Sequence, residues 1–139
     1  RMAQDLMRAM TVSTSGMKAQ GLRLRVISEN LANADSVAQG PGQEPYRRKV
    51  VMFRNELDRV DNMHKVSVSR VTNDPSQFQT KYDPTHPYAD QDGYIMTPNV
   101  SALIETMDMR EAQRSYEANL NVIETSMSML TRTIDLLRI

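Results

Sequence analysis

The stretch YEANLNVIETSMSMLTRTIDLL, Tyr116 to Leu137, decides the architecture of this chain. Tyr116, Ile123, Leu130 and Leu137 recur at heptad spacing, and Leu120, Met127 and Ile134 fall between them. Apolar residues alternately three and four apart mark a helix that packs along its whole length on another helix. Followed towards the N-terminus the first row continues through Met109 to Ala102, weakened at Thr106 and Gln113. It reaches a start signal at Thr97-Pro98-Asn99, where Asn99 is predicted to cap the helix. A helix from about Val100 to Leu137 is on the order of 55 Å long at 1.5 Å per residue.

The other end of the chain repeats the pattern with poorer residues: Ala3, Leu6, Met10, Ser13, Met17, Gln20, Leu24, Ile27, Leu31 and Ala34. Ser13 and Gln20 interrupt this seam, and Gly16 and Gly21 each cost roughly 1 kcal/mol against alanine in a helix interior. Such an arm frays alone and orders on joining partners. It closes with Asn30-Leu31-Ala32-Asn33-Ala34-Asp35, where two asparagines stand three residues apart. Asparagine is a poor helix former that favours caps and turns. Buried between helices, however, an unpaired amide costs roughly 1–3 kcal/mol, and a paired one selects a single register. From the residues alone both readings stay open.

The expected fold is therefore mainly α: long N- and C-terminal helices paired as an antiparallel coiled coil, with a small β-containing module between them. Residues 2–35 form the first arm, 36–99 a linker and middle module, and 100–139 the second arm. In the middle, PYRRKVVMF (Pro45–Phe53) and KVSVSRV (Lys65–Val71) carry the β-branched residues of half-buried strands. Thr72 to Tyr94 reads as a loop, with turn signals at Asp74-Pro75, Asp83-Pro84, His86-Pro87 and Asp92-Gly93. Arg47, Arg48 and Lys49 read as the solvated charges of an edge strand.

Composition narrows the function. Seventeen basic and 17 acidic residues cancel, which removes the electrostatic footprint of a nucleic-acid or anionic-membrane binder. No cysteine is present, so disulfides and thiolate metal sites are excluded. The longest apolar run, Val50 to Phe53, is far short of the roughly 20 residues that span a bilayer. The N-terminus lacks the apolar core of a secretory signal, so any export has to take another route. Eleven methionines against 5% aromatics suit surfaces completed by neighbours, because methionine adapts to varied packing.

Candidate chemistry is sparse. Asp83, His86, Asp90 and Asp92 match neither an EF-hand nor a zinc pattern, and an exposed turn-rich loop is the favoured reading. No nucleophile turn accompanies His64 or His86. Neither an enzyme nor a cofactor is expected.

Three blocks now carry a resemblance. AQGLRLRVISENLANADS followed by PYRRKVVMF is similar to the N-terminal signature of bacterial flagellar axial proteins, the rod and hook family. KYDPTHPYADQDGYIMTPNV and the helix around RSYEAN resemble the proximal-rod members of that family in order and content. Ser36 to Glu44 make the link before Pro45-Tyr46 longer than is typical of hook and distal-rod members and similar to the proximal-rod type, and Glu29 departs from the family where a small residue is common.

The resemblance implies a non-enzymatic structural subunit of the bacterial flagellum, with both terminal helices in the inner core of a helical tube in the basal-body rod. That tube, lying in the periplasm, would transmit torque for motility and enclose the export channel. The implied partners are the rod proteins FlgB, FlgF and FlgG, further copies of the chain and the basal adaptor FliE. The flagellar type III export apparatus would deliver the chain without a cleaved signal. Asn30 and Asn33 would then set register, and Tyr46, Val51, Phe53, Tyr82, Asp83, Pro84, His86, Pro87, Gly93 and Tyr94 would build the middle module. The competing class is a soluble coiled-coil adaptor or export chaperone that holds one partner helix in a groove.

Overall fold

The computed structural model describes residues 1–138; Ile139, the last residue of the expected second arm, lies outside them. Helix α1 spans Met2–Ala32 and helix α2 spans Ala102–Leu137. Between them lie strands β1 (Lys49–Asp58), β2 (Met63–Asn73), β3 (Gln79–Tyr82) and β4 (Tyr94–Thr97). The strands form two separate antiparallel pairs, β1 with β2 and β3 with β4.

The helices lie antiparallel. Thr133 meets Met2 at one end, Asn119 sits on Gly16 in the middle, and Glu105 meets Asn30 at the other end. The covered face of α2 carries Glu105, Met109, Ala112, Tyr116, Asn119, Ile123, Ser126, Leu130 and Thr133, a regular alternation of four and three. Met109, Tyr116, Ile123 and Leu130 are the row expected from the sequence. The row interleaved with them is Ala112, Asn119, Ser126 and Thr133, one residue before the expected apolar set, of which Leu120 is half-buried and Met127 and Ile134 are exposed.

Close approach explains the shift. The facing helix presents Ser13, Gly16 and Ala19, all buried. A Cβ on Gly16 would lie 2.8 Å from Asn119 Nδ2, inside contact distance. Helices held that near accept small residues between them and turn bulkier ones outward. Leu6, Met10, Met17, Leu24 and Leu31 are half-buried and Ile27 is buried, whereas Met127 and Ile134 are more than half exposed and Leu137 is 77% exposed.

The β1–β2 hairpin lies along α1. Its tip carbonyl at Asn62 accepts from Arg8, the Val66 N–H donates to Ser15 Oγ, and Met63 is buried. The first strand begins at Lys49 and not at Pro45, so Tyr46 precedes it, and a register shift between Met52 and Phe53 bends it over the helix. The second expected strand is present and longer, while β3 stands inside the stretch read as loop and β4 begins at its last residue, Tyr94. Asn99 does not cap α2; Ser101 does, accepting from the Ile104 N–H.

Candidate functional site

Two features stand out: a polar cluster where the hairpin, α1 and α2 meet, and a set of exposed apolar side chains along α2. At the root of the hairpin, Asn30 is 1% exposed and uses its whole amide. Its Nδ2 donates to the Lys49 carbonyl at 2.9 Å and to Glu105 Oε2 at 3.3 Å. Its Oδ1 accepts from the Tyr46 hydroxyl at 2.7 Å and the Lys49 N–H at 3.0 Å. One side chain thereby ties α1 to the start of β1 and to the first turn of α2. Asn33 behaves differently: it is the C-cap of α1 and donates only to the Glu29 carbonyl. Of the surrounding motif, Leu31 and Ala34 are half-buried, and Ala32 and Asp35 are exposed.

Glu105, 0% exposed, is the most deeply buried charge described. Arg48 donates to it through Nε and reaches Asp74 at 3.2 Å and Asp108 at 3.3 Å with its other nitrogens. Burial alone would weaken the Arg48 guanidinium's hold on its proton; the hydrogen bonds and charges of Glu105 and Asp74 outweigh this and raise its pKa. The Asp74 carboxyl is held below its usual range, first by the Ser76 N–H, with burial opposing and Arg48 adding to the effect. Burial, then the charges of Glu29 and Glu105, push the Tyr46 phenol up to about 12. Asn99 completes the root, accepting from the Arg48 N–H at 2.7 Å and donating to Asp74 and Ser76 carbonyls.

The basic triplet is accordingly not a solvated edge, as its sequence suggests. Arg48 is half-buried in the cluster, Arg47 lies 4.2 Å from the Phe78 ring and donates to the Asp74 and Ser76 carbonyls, and Lys49 pairs with Glu29. Nothing in the local sequence marked Arg48, Asp74 or Glu105. Only the distance from the predicted seam to Glu105, four residues before Met109, carried a signal.

The remaining middle-module residues form a second, smaller unit. Tyr82 and Tyr94 pair across β3 and β4 with ring centroids 5.2 Å apart. The loop they close is pinned where the Asp83 N–H donates to the Gly93 carbonyl, and Gly93 has φ +87°. Pro84 packs where a Gly93 Cβ would fall, His86 Nδ1 accepts from the Tyr88 N–H, and Pro87 lines a cavity of about 380 Å³ shared with Val37 to Gln43. Asp90 accepts from the Asp92 and Tyr94 N–H groups. Among the described residues no three histidine or carboxylate side chains gather as a metal would need. Val51 is half-buried and Phe53 is 38% exposed.

Uncovered apolar side chains lie on more than one side of α2. Leu103, Ile104 and Met107 near its start, and Val122, Met127, Met129, Ile134, Leu136 and Leu137 further along, are exposed. Leu136 reaches 83%. Apolar surface gathered along one helix in this way marks a contact still to be made. No helix among the described residues is long and apolar enough to cross a membrane.

The family model described as flagella basal body rod protein matches residues 10–38. A second, described as flagellar basal body rod FlgEFG protein C-terminal, matches residues 91–136. A protein of Agrobacterium fabrum called flagellar basal-body rod protein FlgC is 48% identical over 130 residues, 94% of each chain. Proteins of the same name are 37% identical in Salmonella typhimurium over 131 residues, 94% of this chain and 97% of the relative. In Bacillus subtilis the identity is 35% over 143 residues, 92% and 95% of the two chains.

Proposed function

The chain belongs to the FlgC family of flagellar basal-body rod proteins, and from that premise we propose that α1 and α2 form an antiparallel coiled-coil pair in the inner wall of the proximal rod. It is a structural protein of the flagellum and not an enzyme. The observation that carries the finer reading is the set of exposed apolar side chains along α2, which flank the helix pair on both sides. An apolar side chain fully buried on assembly contributes roughly 1.5–3 kcal/mol, so Met127, Ile134, Leu136 and Leu137 supply a large lateral contact. The neighbours that fit are further copies of the chain, the rod proteins FlgB, FlgF and FlgG, and the adaptor FliE. On this reading the flagellar type III export apparatus delivers the chain, and the rod it joins crosses the periplasm, transmits torque and encloses the export channel. The hairpin, lying against α1, supports the outer wall.

The test replaces Met127 and Leu136 with glutamate in the native host. Both are exposed, so the helical signal of the purified chain stays unchanged within error while swimming and rod formation are lost. Normal motility of the double variant would show that these side chains contact nothing in the rod. A photo-crosslinking residue at Leu136 then reports which neighbour covers it.

A further inference from the structure

The root cluster carries an inference about how the chain closes, and it holds whatever the closed chain later joins. Glu105 projects from the first turn of α2 into a place where it is wholly buried. Its two partners there are Asn30 of α1, at the long distance of 3.3 Å, and Arg48, which arrives with the hairpin. The other cations nearby are engaged elsewhere: Arg23 faces Asp108 and Glu111, and Lys49 faces Glu29. Asn30 depends on the hairpin as well, since three of its four hydrogen bonds go to Tyr46 and Lys49. If α2 closed on α1 with the hairpin away, Glu105 would lose its countercharge and Asn30 would keep one of its four hydrogen bonds.

We propose that Arg48 makes helix pairing conditional on hairpin docking, so that α2 closes on α1 only when the hairpin root is already seated or seats with it. Arg48 serves as the key because it is tied from both sides of the hairpin. Its own N–H donates to Asn99, and Asn99 in turn holds the Asp74 and Ser76 carbonyls at the end of β2. A hairpin not yet paired strand to strand cannot present Arg48 at that point. The device prevents premature closure of two helices whose seam of small residues would otherwise slide between registers.

The chain has no cysteine, so a cysteine pair replacing Met2 and Thr133, adjacent at the far end of the helices, reports closure by its rate of disulfide formation. The rate is followed across a trimethylamine N-oxide titration, which drives every variant to its closed state, while amide exchange of residues 49–73 reports hairpin docking. In the parent both signals rise together. Removing one partner of a buried ion pair is strongly destabilising, so Arg48→Met is expected to weaken helix closure roughly a hundredfold. Adding Glu105→Gln to it removes the buried charge and recovers most of the loss, while Arg23→Met leaves the closure signal nearly where it was. The proposal is overturned if Arg48→Met delays hairpin docking but not the disulfide, if helices close before the hairpin in the parent, or if Glu105→Gln gives no recovery.

Discussion

Replacing Asn30 by alanine separates the two asparagines of the motif. The substitution deletes four hydrogen bonds: two donated by Nδ2 and two accepted by Oδ1. The Tyr46 hydroxyl is half-buried and can turn to water, and Glu105 keeps Arg48. The N–H and carbonyl of Lys49 are left without these partners in a part-buried place. An orphaned buried group costs about 1–3 kcal/mol, so the total is about 3–5 kcal/mol. Asn33→Ala loses one exposed bond to the Glu29 carbonyl, about 0.5–1 kcal/mol. Urea unfolding followed by circular dichroism reads both: with a slope of roughly 2 kcal/mol per molar, the midpoint falls by roughly 1.5–2.5 M for Asn30→Ala and by under about 0.5 M for Asn33→Ala. Asn30→Asp preserves shape but sets a second carboxylate against Glu105, and is expected to be at least as damaging as alanine. Equal midpoint shifts for Asn30→Ala and Asn33→Ala, or a harmless Asn30→Asp, would refute the assignment of the root to Asn30.

Alkaline stability tests the surroundings of Tyr46. Its phenol titrates at about 12 in the folded chain against an ordinary value of 10.0, so the unfolded state loses its proton first. This contribution to stability is intact below pH 10 and is lost between about pH 10 and 12; urea midpoints across that window fall less in Tyr46→Phe than in the parent. Gly93→Ala strains a residue at φ +87° and brings a Cβ to 2.9 Å from Tyr82 Cε1. It is expected to cost about 1–3 kcal/mol and to raise amide exchange in residues 79–97 while leaving the helices unchanged. Ala112→Leu overfills a fully buried position of the seam, with an expected loss of about 1–3 kcal/mol in the same urea assay.

The long helices were legible because periodicity sustained over many turns outweighs local doubt, even with Gly16 and Gly21 in the way. Which residues form the seam was legible only by half. Heptad reading ranks positions by hydrophobicity, and here the covered row of Ala112, Asn119 and Ser126 is set by closeness of approach, which the pattern of α2 alone does not encode. The same bias assigned Asn99 to a cap, since asparagine after a proline fits one, while its amide instead bridges the ends of the first hairpin. Strands β3 and β4 are short, and the proline and Asp-Gly turn signals between them dominated the reading. The ion cluster was invisible for a simpler reason: Arg48, Asp74 and Glu105 are joined by pairings 26 and 57 residues apart in sequence, and each looks like an ordinary surface charge until the chain folds.

The distribution of polar and apolar residues follows from what each surface does. Buried ion pairs contribute little net stability compared with apolar packing of similar volume, and their best-attested use is to select one arrangement over others. Here the polar residues sit where three elements from distant parts of the chain have to meet in one way. The matched family regions, residues 10–38 and 91–136, contribute Asn30 and Glu105, while Arg48 and Asp74 come from the stretch between them. The apolar residues exposed along α2 are, on the reading proposed above, where neighbours in the rod would pack. A helix pair packed through glycine, serine and alanine is thin and closely spaced, so bulky side chains remain available on the outside. The internal contacts select the shape, and on that reading external ones would supply the burial that the chain alone leaves incomplete.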